Sequence, residues 1–510
     1  MRQKIDLSRR NFVRLAGVGV VGLAGCSGQD GDGGDGGSGG GNTDTGGGSD
    51  SGGDTNSGDG GSSDSGGPGG PANGQAGTHT AWDVDWNAPE PMLDRLNGEE
   101  WISPEFNSDQ VNGDINYFNL GSMEFDPATA YGIEAVNERA GLSVEPTVVP
   151  SQRAVPKTTT ALSSRSPTPA AFQVDRQYYM SLVQPGWLEP VDELWPDEVV
   201  SEFPAAWEED FYTDVDATLD GEHIYGSHAV AEGFFLHHRA DYLEQLGFPS
   251  DFLVEPTWED LEEVCEETQS ADVDFAPYVW QGAGPRSPPT WWIVKTRSQG
   301  RDIVQDDGTV LFNSEEGLRA LEWQVQLVEE GLVPNPLEFS TGNGADLFLQ
   351  GGLLAYELGG KLMASSLEAY EPGDQYQLGL PPIAPDGPDP YHASAILEDL
   401  ICINRFAPEE KKRAAMIYLD AGRSAEFDRE EWVQEGNMPA NPAAFEQLED
   451  APFFDVLDQG LRNAKDEIWP SQIQTINALS EQLQQAWGGE KAPQAALEDA
   501  QAEVDAVLDQ

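Results

Sequence analysis

The sequence predicts an α/β protein with strands in a mostly parallel sheet and helices on both faces. Two observations carry this. From residue 115 onward, short apolar runs alternate with segments of helical period, the pattern of strands joined by crossover helices. Beyond the first 80 residues or so, about 430 residues remain, enough for two substantial lobes with their own cores.

The elements follow in order. Ser8-Arg9-Arg10-Asn11-Phe12-Val13 precedes a mild apolar run from Leu15 to Gly25. A basic start and a short apolar stretch make a signal peptide, too short to span a bilayer. The paired arginines resemble a twin-arginine export signal, which moves folded proteins. The run ends in Leu23-Ala24-Gly25-Cys26, which resembles a lipobox. That resemblance implies a lipidated Cys26 as the mature N-terminus and as the membrane anchor. From Ser27 to about Thr78 the chain is nearly all Gly, Ser, Asp and Asn. It has too few apolar groups for a core, so it is read as a disordered tether (26–78 with the anchor). As a Gly-rich coil it reaches roughly 40 Å.

Ile115–Leu120 reads as a strand and Pro127–Ala140 as a helix ending near Gly141. Leu142–Val149 reads as the next strand. Ala170–Val174 is a further short strand, with Asp175 at its carboxyl end. Thr257 starts a helix in a capping box with Asp260, and Trp258, Leu261, Val264 and Cys265 repeat at helical spacing. Ser314 caps the next, which turns Leu318, Leu321, Val325 and Val328 to the core and stops at Gly331. Pro408–Leu419, Ile473–Trp487 and Ala495–Leu508 are three more. No later apolar run is long enough to cross a membrane.

Acid dominates the composition, with 90 Asp and Glu against 27 Lys and Arg, a formal net charge of −63. Cleavage before Cys26 would leave 22 basic against 89 acidic residues. Such a surface repels itself in dilute buffer. It is tolerable where salt shortens the Debye length to about 3 Å, near 1 M. The excess therefore reads as adaptation to multimolar salt, as in haloarchaea; a surface tuned to basic partners is the other reading. Nucleic acid is disfavoured because no basic footprint exists. Three cysteines, Cys26, Cys265 and Cys402, do not make a disulfide framework. Cys265 and Cys402 read as buried small apolar residues.

The order of several motifs resembles the family 1 solute-binding proteins, the group of the maltose-binding protein. Asp220-Gly221-Glu222-His223-Ile224-Tyr225-Gly226 resembles that family's crossover hairpin. Phe235–Leu243, Gly247-Phe248-Pro249, Pro256–Leu261, Phe348–Tyr356 and Ala495–Ala500 follow in the family's order and spacing. The match runs roughly from Ile115 to Leu508. It implies a two-lobed periplasmic-binding-protein-like fold (type II), with a ligand cleft between lobes joined by a hinge. The lobes would be 113–228 with 389–430, and 229–388 with 431–510. It implies capture of a small solute, a carbohydrate or a sugar derivative, by hinge closure, and delivery to ABC transporter permease subunits. A monomer is expected, with no catalytic residue, cofactor or metal.

A sugar site needs flat apolar faces for the ring and fixed polar groups for its hydroxyls. Trp280, Trp291 and Trp292 are the candidate aromatic wall of the second lobe. Gln173, Asp175 and Arg176 close a strand of the first lobe. Glu124 leaves the first strand. Where the family carries a sugar-stacking tryptophan, this chain has Leu362, with Lys361 beside it. A lysine there favours an acidic, phosphorylated or amidated sugar. Each candidate also has a plainer reading: core packing for the tryptophans, a solvated turn for 173–176, a helix-start acid for Glu124.

The six histidines form no metal motif. No nucleophile elbow, P-loop or dinucleotide fingerprint lies in an ordered segment. A non-sugar solute (peptide, polyamine or metal chelate) and a surface glycoside hydrolase remain the alternatives.

Overall fold

The computed structural model describes residues 114–121, 142–191, 225–284, 287–305, 309–422, 451–466 and 472–508, with a few single positions between and beside them. Cys26, the signal, the tether and Glu124 lie outside the described residues. So does most of the helix expected over 127–140, of which Gly132, Ile133 and Asn137 are described and helical.

The first sheet opens with β1 (Asp114–Gly121) and β2 (Ser143–Pro150), parallel and in register from Asp114↔Ser143 to Gly121↔Pro150. Helix α1 (Ser151–Ser163) returns the chain to β3 (Ala171–Asp175), which lies parallel to β1 on its other side. Helix α2 (Arg176–Val183) follows without a loop. Leu162, Phe172, Val174, Tyr179, Leu182 and Leu188 pack with Leu400 and Cys402 as the core of this half.

Strand β4 (Gly226–His238) is thirteen residues long and serves two sheets. Its first part pairs antiparallel with β8 (register from Gly226↔Cys402 to Gly233↔Ile396). From Phe234 on it pairs instead with β6 and β7 (Phe234↔Gly359, His238↔Gln377). Next come α3 (Ala240–Leu246), α4 (Trp258–Ser270), β5 (Ala276–Val279), α5 (Ser287–Arg297) and α6 (Glu315–Glu329). Then follow α7 (Thr341–Leu349), β6 (Leu353–Gly359), α8 (Lys361–Ala369), β7 (Gln377–Gly379) and β8 (Ser394–Ile403). The chain closes with α9 (Glu409–Gly422), α10 (Phe454–Arg462), β9 (Ala464–Asp466), α11 (Gln472–Trp487) and α12 (Pro493–Leu508). The strand order is β2-β1-β3-β8-β4-β6-β5, with β7 on β4 and β9 on β8.

Local chemistry explains the helix ends. Thr257 Oγ1 accepts the Asp260 N–H at 3.1 Å, and Asp260 Oδ2 accepts the Thr257 N–H at 2.8 Å, the expected capping box. Ser314 Oγ accepts the Gly317 N–H at 3.0 Å at the start of α6. Gly331, with φ 67°, lets the chain leave its far end. Trp258, Leu261, Val264 and Cys265 are buried as their spacing requires. Leu321 and Val325 are buried, and Leu318 and Val328 pack on the same core. The core of the second half also takes in Leu479, Leu483, Leu497 and Val504 of the last two helices.

The sheet is more mixed than expected. Among the described strands only β2-β1-β3, β5-β6 and β8-β9 are parallel; β8 runs antiparallel to both β3 and β4, and β4 antiparallel to β6 and β7. Sequence pattern hid this because β4 does not alternate. Phe234 to His238 are all buried, including both histidines, so its second half reads as a run of mixed polarity rather than as a strand.

Candidate ligand site at the junction of the two sheets

Register shows where the strand ends meet. Asp175, the last residue of β3, stands opposite Asp399 of β8, and Asp399 stands opposite Val230 of β4. In the second sheet, Gly359, the last residue of β6, stands opposite Phe234 of the same β4, and β5 runs parallel to β6. The carboxyl ends of both sets of strands therefore turn toward one short stretch of β4. Four residues separate the two levels, about 13 Å of extended chain at 3.3 Å per residue. Carboxyl strand ends are where α/β sheets bind ligands.

On the first side, Gln173 is buried and its Nε2 donates to Asp399 Oδ2 at 3.0 Å. Asp175 ends the strand, and Arg176 is the first residue of α2, at the positive end of the helix dipole. Gln173, Asp175 and Arg176 thus fall at one strand end, as their spacing implied. Asp399 was missed. Its signal is the pair of acids Glu398-Asp399 inside the otherwise apolar run Ala395–Ile403.

On the second side, Trp280 follows the end of β5 and is fully buried. Its ring lies 5.9 Å from that of Tyr278 and 5.7 Å, edge-on, from that of Trp487. Trp291 packs edge-on to Phe234 at 4.9 Å. Trp292 donates its Nε1–H to the Gly317 carbonyl at 2.8 Å and meets Phe312 edge-on. The three indoles are packed in the core and present no exposed wall. Helix α5 is buried from Pro288 to Arg297, so periodicity had no polar face by which to tell inner from outer positions. Trp292 is a structural residue with a satisfied indole. Trp280 and Trp291 keep buried N–H groups without a partner. Lys361 begins α8, directly after Gly360, whose N–H donates to the Gly233 carbonyl at 3.0 Å. Leu362 beside it is buried.

Beneath this edge lies a charged layer that sequence reading missed. Glu357 of β6 accepts the Tyr278 hydroxyl at 2.9 Å and pairs with Lys295 of α5; all three side chains are buried. Burial pulls the Lys295 ammonium below its ordinary range, opposed by the Glu357 charge. Burial pushes the Tyr278 phenol well up, and the Glu357 charge adds to it. A lysine directly after the apolar run Trp291–Val294 was the available signal. On the opposite sheet face, His237 Nε2–H donates to the Gly359 carbonyl at 3.1 Å, so its Nδ1 accepts the Tyr376 hydroxyl at 2.8 Å. Burial lowers His237 to about 3 and its neighbour His238 to about 4.

Among the described residues, no group of His, Cys, Asp or Glu is arranged to hold a metal ion, and no helix is long and apolar enough to cross a membrane. Cys265 and Cys402 are buried free thiols, pushed up by burial.

Known proteins share this architecture. The chain is similar to a maltose-bound MalE3 of T. maritima, with a TM-score of 0.64 at 17% identity, over 77% of this chain and 99% of that one. An ABC transporter solute-binding protein of Thermotoga lettingae bound with α-D-tagatose gives 0.64 at 19% identity, over 78% and 99%. One from Agrobacterium radiobacter K84 in complex with ribitol gives 0.61 at 16%, over 77% and 98%. These are two-lobed type II binding proteins. A curated binding protein of Brucella abortus (strain 2308) is 22% identical over 377 residues, 73% of this chain and 87% of that protein. The family model for bacterial extracellular solute-binding proteins matches residues 133–454. With more than half of its length matched and with two sheets meeting on one shared strand, the chain belongs to the bacterial extracellular solute-binding protein family.

Proposed function

We propose that this chain is the extracytoplasmic receptor of an ABC importer, lipid-anchored through Cys26 on the tether 27–78 and monomeric, and adapted to multimolar salt. It captures a carbohydrate or sugar derivative by closure of the two lobes and presents the closed form to the permease. The observation that carries the reading is the convergence of both carboxyl strand edges on residues 230–234 of β4. The ligand contacts are Gln173, Asp175, Arg176 and Glu124 on the first lobe. On the second it is Lys361, backed from the core by Trp280 and Trp291. Closure works because a ligand that touches both lobes binds the closed state better than the open one. Relatives of the same fold hold maltose, tagatose and ribitol, which supports a polyhydroxylated ligand. Arg176 and Lys361, each opening a helix at the junction in a chain with 27 cations against 90 acids, favour one that also carries an acidic group.

The test is a thermal-shift screen of residues 79–510 in multimolar KCl against sugars, polyols, sugar phosphates, uronic acids, polyamines and dipeptides. A saturable rise with a sugar class is expected, since ligand at 100 times its Kd adds about 2.7 kcal/mol. A rise only with polyamines or dipeptides overturns the sugar assignment. Turnover of a chromogenic glycoside overturns the transport role.

A further inference from the structure

Strand β4 runs from one sheet into the other, and one buried side chain holds it where it crosses. The ladder between β4 and β8 ends at Gly233↔Ile396, and the ladder between β4 and β6 begins at Phe234↔Gly359. At that change of partner the Phe234 peptide groups would be left between sheets. They are taken up by Ser394, the first residue of β8. Its Oγ accepts the Phe234 N–H at 2.9 Å and donates to the Phe234 carbonyl at 2.9 Å. The Ser394 N–H donates to the Asn463 carbonyl at 3.3 Å, and Ser394 is the register partner of Ala464 in β9. Ser394 is fully buried.

The surroundings leave no slack. A Cβ on Gly233 would come within 2.7 Å of Leu461 Cδ2, and one on Gly460 would strike the Phe235 ring, so α10 presses directly on the changeover. Backbone polar groups buried away from water must be paired. Here one hydroxyl pairs two of them, where a ladder would use two peptide groups. A ladder resists turning because its bonds come in rows; a single hydroxyl can re-aim its hydrogen about the Cβ–Oγ bond as the Phe234 peptide turns.

We infer that Ser394 is the fastening about which the two lobes turn: a positioning residue that keeps β4 continuous across the changeover while allowing rotation there. Its use in solute capture rests on the function proposed above. The behaviour itself is measured without ligand, so a mistaken ligand class would leave the result intact.

Two measurements test it on the full mature chain. Inter-lobe motion is read by single-molecule energy transfer between dyes at Lys157→Cys in α1 and Glu329→Cys in α6, both exposed, with Cys26→Ser; Cys265 and Cys402 are buried. Local fastening is read by amide hydrogen exchange of peptides covering 233–236 and, as a control, the β5 core. Ser394→Ala is expected to broaden the transfer distribution and to speed exchange at 233–236 at least tenfold, with β5 changed less than twofold. Ser394→Cys, a weaker partner of similar shape, is expected to fall between Ala and wild type, and it serves as the reading if the Ala variant does not fold. Equal acceleration across 233–236 and β5 would mean a general loss of stability and overturn the assignment. So would an unchanged transfer distribution.

Discussion

The two strand edges that face each other across β4 solve the same problem with opposite materials. The first ends in polar residues: Gln173 on Asp399, with Asp175 closing the strand and Arg176 opening the next helix. The second is aromatic beneath its edge, with Trp280 and Trp291 packed into the core beside the buried Lys295 and Glu357. The difference separates two jobs. On the first side Gln173 stands outside the apolar core of its half. On the second side Trp280 and Trp291 are structural members, so changing either alters stability as well.

The largest effect expected from this contrast is on the buried pair. Lys295→Met leaves Glu357 as an uncompensated buried charge and should cost about 3–5 kcal/mol of unfolding free energy. Adding Glu357→Leu should recover most of it, though the Tyr278 hydroxyl then loses its acceptor. Chemical denaturation of both variants in multimolar KCl decides. A double variant no better than the single one would show that Lys295 acts by packing alone.

Next comes acid sensitivity. His237 and His238 have folded values of about 3 and 4, below the ordinary 6.5. Below pH 6.5 the unfolded chain takes protons that the folded chain refuses. Their contribution is therefore intact above 6.5 and falls as pH drops toward 4, by up to about 1.4 kcal/mol per unit for each ring. A melting series from pH 7.5 to 4.5 should show this fall, and His238→Asn should flatten it.

On the first side, Gln173→Leu should weaken binding of whichever solute the screen identifies about tenfold, or about 1.4 kcal/mol, while the melting temperature moves little. Titration calorimetry with parallel melting measures both. A large loss of stability with unchanged affinity would erase the contrast between the two sides. The smallest effect is at a cap: Thr257→Ala should cost about 1 kcal/mol and leave affinity alone, because α4 begins outside the junction.

Legibility followed the same divide. Helices with a cap and a stripe were readable, as Thr257 with Asp260 and Ser314 with Gly317 confirm. The short strands at 143–150 and 171–175 were readable from apolar runs with clear ends. The polar end of β3 followed from its position alone. β4 was not readable as a strand because burial on both faces removes the two-residue period. Helix α5 was readable as apolar but not by face, for the same reason. The Lys295–Glu357 pair joins residues 62 apart and Gln173–Asp399 residues 226 apart, and neither partner carries a local mark of the other.

The position of β8 in the sheet has a consequence for the chain as it is made. Strand β8 lies between β3 and β4, yet it is translated about 220 residues after β3 ends. At roughly 5–20 residues per second, the outer edge of β3 stays bare for some 10–45 seconds on the ribosome. The first part of β4, made in the meantime, is bare as well. A long-lived unpaired edge invites other chains to add to it. The nascent protein is therefore most vulnerable to aggregation in that interval, and a truncation just before Ser394 should be markedly less soluble than one just after Ile403.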